Sequence, residues 1–281
     1  EPLPKDFRRL SSAKIGHFSP KLRFAIRDAR LLQKIALGLQ KNSNDIKHFK
    51  YDRISYQETN PISLAREVRN DFSITFKQQM ETESEIIFFN ILRNKIEELG
   101  VVTMTSDRKS TFPVNEARGF SFSDEMPYLI FINNSDVIRG KIFTTMHEFA
   151  HILIRESSLC DTSIQHNTFD GIEYFCNQFA SYFLLPDNYI IENINQNNLD
   201  EKLKDLAKKV KISKYVLLRR MLDNNFVSQE KYNLQVANWD EEFKKNKPRG
   251  YGKYSPIAST LRSRGKKFSG LVLESLDNNR I

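Results

Sequence analysis

"KIFTTMHEFAHILI", residues 141–154, is the stretch on which the reading of this chain turns. Phe143, Met146, Phe149, Ala150, Leu153 and Ile154 recur as they do on a strongly apolar helix, which belongs in a core. Set among them are His147, Glu148 and His151. On a helix, residues four apart share a face at about 6 Å. His147 and His151 can therefore offer two imidazole nitrogens to one Zn²⁺ at about 2.0–2.1 Å each. Glu148, one position along, falls beside such an ion, where it can take a proton from metal-activated water. The alternative is a core helix with two incidental histidines, and these would need hydrogen-bond partners of their own.

A catalytic zinc wants a third protein ligand and one open position. "EYFCNQFASYFLLP" (173–186) supplies Glu173, which shares a helix face with Asn177, Ala180 and Leu184. The small Ala150 and Ala180 allow the two helices to approach closely. Asp161, His166 and Asp170 are rival third ligands, but their loop, 157–170, has no pattern to hold them rigidly. Asn177, His166 and Tyr182 are candidates to support the ligands or to stabilise an oxyanion.

Outward from these helices the pattern is mixed. Ser19 and Pro20 open an N-terminal helix carrying Leu22, Ala25, Ile26, Ala29, Leu32 and Ala36. A second helix starts near Ser63. A third follows a capping box formed by Thr82 and Glu85 and runs to Gly100. "VVTMT" (101–105), "ARGFSFS" (117–123) and "YLIFI" (128–132) read as strands. The last of these, just ahead of the metal helix, is a candidate to pair with an extended substrate. "LAKKVKISKYVLLRRML" (206–222) has the rhythm of a helix-turn-helix with its turn near Ile212 and Ser213. It reads as a helical hairpin packed on the core, with DNA contact through Arg219 and Arg220 as the competing reading. From Trp239 to Pro256 the chain looks like a linker, and "SGLVLESL" (269–276) like a short last helix.

Two segments of this chain, "FTTMHEFAHILI" and "EYFCNQFASYFLLP", together resemble the ImmA/IrrE family of metallopeptidases. That family joins a His-Glu-x-x-His helix to a downstream Glu-x-x-Ala-Asn-x-Phe-Ala helix ending in Leu-x-Pro. Cys176 stands where the family usually has Ala. "PKDFRRL", "NILRNKIEELGVVTM" and "RGKKFSGLVLESL" are similar to flanking segments of long-form members. The resemblance implies Zn²⁺ held by His147, His151 and Glu173, with Glu148 as general base. It also implies a helix-turn-helix repressor of a mobile element or stress regulon as the substrate.

The chain has 281 residues and a net charge of +8, concentrated at its ends. Residues 1–43 hold ten Lys/Arg against three acids, and 243–273 hold nine and no acid. These segments are solvated surface or make weak contact with nucleic acid. No apolar run is long enough to span a membrane. Cys160 and Cys176, without a framework spacing, suit a reducing compartment, hence the cytoplasm. The expected fold is α+β: a mostly helical, zincin-like metallopeptidase with a small three-stranded sheet beside the metal-binding helices. It divides into a helical segment (1–80), a metallopeptidase core (81–190), a helical extension (191–238) and a basic C-terminal segment (239–281). The competing functional class is a regulatory, antitoxin-like or nucleic-acid-binding protein with a vestigial or structural metal site.

Overall fold

The structure, a computed structural model, describes residues 18–41, 49–107, 110–156, 158–160, 171–186, 191, 194, 197–245 and 256–278. Helices α1 (Pro20–Lys41), α2 (Pro61–Asp71), α3 (Phe76–Glu81) and α4 (Glu85–Glu98) precede strands β1 (Val102–Thr105), β2 (Gly119–Phe122) and β3 (Leu129–Ile132). Then come α5 (Ile138–Ile154), β4 (Ser158–Cys160), α6 (Gly171–Leu184), α7 (Leu199–Val210), α8 (Lys214–Asp223), α9 (Gln229–Lys245) and α10 (Pro256–Asp277). The architecture is α+β, mostly helical, as expected.

The sheet runs β1-β3-β2-β4, with β1 and β3 parallel and the other two pairs antiparallel. The three expected strands form, and a fourth of three residues joins at β2 from the segment read as loop. The order overturns one expectation. β3 is interior, paired on one side with β1 and on the other with β2, so it has no edge to offer a substrate.

Both sheet faces are covered, so β1–β3 are buried at every position rather than alternating with polar residues. Ile130 and Ile132 join the main core with α2, α4, α5 and α6. Leu129 and Phe131, pointing the other way, join Phe120, Phe122 and Met104 in a second core. There Phe120 and Phe131, directly opposite in register, stack at 4.7 Å. This second core is closed by Leu22, Ile26 and Ala29 of α1 and by Phe268 and Leu271 of α10.

The basic C-terminal segment is thus part of the fold's second layer, not only a tail. It forms a 22-residue helix broken at Gly265, whose φ of 76° suits glycine. Glu97 of α4 reaches this break and caps the turn that follows, accepting the backbone N–H groups of Lys266 and Lys267 at 3.0 Å each. A Cβ on Gly265 would sit 2.4 Å from Glu97 Oε1 and 2.4 Å from the Thr103 carbonyl, so the close approach excludes a side chain. Arg93 donates to the Arg262 carbonyl, and Arg264 pairs with Asp28 at 2.9 Å, tying α10 to α4 and α1.

Two smaller expectations also change. Thr82 and Glu85 form no capping box: Thr82 ends α3, and Ser84 caps α4 by accepting from Ile87. The capping box lies one helix earlier, between Thr75 and Gln78. The linker-like stretch does not begin at Trp239, which lies within α9, is buried, and donates its indole N–H to Asp200. Among the described residues no helix is long and apolar enough to cross a membrane.

Candidate metal centre

Helix α5 is buried along almost its whole length, because it lies between the sheet and α6. It ends at Arg155 in the left-handed conformation (φ 58°, ψ 41°). The Arg155 guanidinium sits 4.7 Å from the Phe49 ring centroid and 4.6 Å from that of Tyr128, and donates to the Tyr51 carbonyl at 2.7 Å. These contacts fix the helix end one turn past His151.

His147 and His151 project their Nε2 atoms toward one point, 3.2 Å apart. Glu173, in the first turn of α6, places Oε2 3.3 Å from His147 Nε2 and Oε1 3.3 Å from His151 Nε2. Bonds of about 2.0–2.1 Å in a tetrahedral zinc site require ligand atoms about 3.3–3.4 Å apart, close to this triangle. The imidazoles are 2% exposed and the Glu173 side chain 43%, so the cluster opens on the Glu173 side. Burial would raise the Glu173 carboxyl, but positive charge beside it, carried by His151 and His147 when these are protonated, outweighs burial and holds it well below the usual carboxylate range.

Asn177, one turn after Glu173, places Oδ1 3.1 Å from His147 Nδ1. An amide oxygen accepts only, so Nδ1 carries the proton and the Nε2 lone pair faces the cluster. Lone pairs and a carboxylate turned toward one another repel unless a cation lies between them, and this donor set fits zinc. Glu148 is fully buried beside the pair and is not one of the three residues whose ligand atoms converge. Asn177→Ala is expected to keep the fold and lower zinc affinity by about 10–100-fold, because the His147 ring loses its orienting acceptor. Competition with a chromophoric chelator measures this.

The structure brings together His147, His151, Glu173 and Asn177, with Glu148 adjacent. Tyr182 goes elsewhere. It is nine residues past Glu173, about half a turn round the helix, and its ring lies under the Arg220 guanidinium at 3.4 Å. His166, with Asp161 and Asp170, lies outside the described residues.

Sequence reasoning missed what anchors the far end of α6. The last carbonyls of a helix have no partners within it. Here Arg69 of α2 donates to Phe183 O at 2.6 Å, Gln79 of α3 to Leu184 O at 2.9 Å, and Arg220 of α8 to Leu185 O at 3.1 Å. All three side chains are buried. Arg220, weighed above as a DNA contact, instead holds the α7–α8 hairpin against the metal-bearing helix. Its neighbour in an apparently basic pair was the only signal, and it pointed outward: Arg219 is half-exposed and pairs with Asp223.

Residues 96–222 match the family model of the IrrE N-terminal-like domain, Peptidase_M78. The match spans the end of α4 through α8 and contains every residue of the cluster. No curated protein matches the chain.

Proposed function

Since residues 96–222 of this chain match the IrrE N-terminal-like domain, Peptidase_M78, we propose that the protein is a zinc-dependent endopeptidase of the ImmA/IrrE family. The observation that carries the reading is the triangle of His147, His151 and Glu173 with edges of 3.2–3.3 Å, opening toward solvent beside a buried Glu148. A bound zinc ion would supply Lewis acidity to the scissile carbonyl and to the attacking water. The chain's own residues do the rest. His147 and His151 present Nε2, and Asn177 keeps the His147 proton on Nδ1. Glu148 accepts the proton of the attacking water and delivers it to the departing amine nitrogen. Burial of the imidazoles keeps bulk water from the ligand side, while the half-exposed Glu173 marks the side from which a peptide enters.

The substrate we propose is a helix-turn-helix repressor in the cytoplasm, and its cleavage would release transcription. The burial of Arg220 favours a hairpin that supports the catalytic helices over one that reads DNA. The test is zinc content together with co-expression beside helix-turn-helix repressors of the same genome, beginning with any encoded nearby. One zinc per chain and discrete repressor fragments are expected. A chain that holds zinc yet cuts none of these repressors under any inducing condition would give the reading over to a non-catalytic binding protein.

A further inference from the structure

From Lys141 to Ile154, every side chain of α5 is buried except that of Phe143. Even the amine of Lys141 is taken up, donating to Asn134 at 2.8 Å. Phe143 lies one turn before His147 on the same row, and the two ring centroids are 6.3 Å apart. One part of the ring packs on the main core, and the remainder is left accessible. The row continues through Arg139, half-buried and paired with Glu85 at 2.9 Å. From Lys141 to Ile154 the one half-exposed side chain of α5 is therefore an aromatic ring one turn from the metal ligands. A core helix gains by burying a phenyl ring completely. A ring left partly open beside a convergent ligand set is available to a bound molecule.

We propose that Phe143 is a specificity-determining residue: its accessible ring forms the wall of an apolar subsite beside the metal, and the substrate is a peptide with a bulky apolar side chain next to the scissile bond. This rests on the peptidase reading above. The assignment is separable from turnover, because hydroxamates bind zinc in place of a peptide and need no cleavage.

The experiment compares acetohydroxamate with 3-phenylpropanohydroxamate by titration calorimetry on the zinc-loaded full chain. Wild type is expected to bind the phenyl probe about tenfold or more tightly than the methyl probe. Phe143→Ala should bring that ratio close to one, with acetohydroxamate affinity and zinc stoichiometry unchanged. Phe143→Leu preserves most of the packing, covers the case in which the Ala variant fails to fold, and should lower the ratio by a smaller factor. An unchanged ratio in the folded variants overturns the assignment, as does a wild type that binds acetohydroxamate without preferring the phenyl probe. Either result leaves the peptidase reading intact. If the zinc-loaded chain binds neither probe, the accessible metal position itself is refuted, and the subsite falls with it.

Discussion

Glu148→Gln is expected to retain zinc, fold and thermal stability while losing about 10³-fold or more of its peptide cleavage. Glutamine keeps the shape and hydrogen-bonding reach of the side chain but cannot take up a proton. Glu148 is completely buried, so bulk water has little access to act as base in its place. The carboxylate is also outside the set of three residues whose ligand atoms converge, so its replacement should leave the metal in place. Zinc stoichiometry and cleavage of the repressor, measured on the same preparation, separate the two roles. Undiminished cleavage by the variant would sink the general-base assignment. Loss of zinc would instead make Glu148 part of the ligand set.

What could be read in advance was what depends on local periodicity. His147 and His151 converge because four residues bring a helix back to the same face, and Asn177 follows Glu173 on its own helix for the same reason. The periodicity also held information against Tyr182, whose nine-residue offset from Glu173 turns it away from the cluster. The strands of the sheet were legible from their apolar runs, but their order was not, because order is decided by pairings far apart in sequence. β4, only three residues long, carries too little pattern to be seen. The least legible features join distant parts of the chain. Glu97 caps a helix turn at Lys266, and Arg69, Gln79 and Arg220 converge from three helices on the end of α6. Each resembles a surface polar residue on an amphipathic helix until the partner that buries it is known. The polar composition of 239–256 likewise hid that Trp239 belongs to α9, where its buried indole joins Tyr232 and Val236 in the main core.

His147→Ala should part company with the Gln variant on metal and on stability. The substitution removes one corner of the triangle and leaves His151 and Glu173, whose two-ligand set is too weak to hold zinc at the concentrations that saturate the wild type. Binding to the folded state alone stabilises it by mass action, about 4 kcal/mol when free metal exceeds its dissociation constant 1,000-fold. Wild type should therefore melt at a distinctly higher temperature with zinc than after chelation, as should Glu148→Gln, whereas His147→Ala should melt at the same temperature in both. Cleavage should vanish with the metal. The variant also leaves a cavity where a buried imidazole stood, so its chelated form should be somewhat less stable than the chelated wild type. For that reason the informative quantity is the zinc-dependent shift within each protein, not the melting temperature itself. A His147→Ala protein that still takes up one zinc and shows the full wild-type shift would mean that the ion sits elsewhere, and that the convergence of His147, His151 and Glu173 serves packing rather than metal binding.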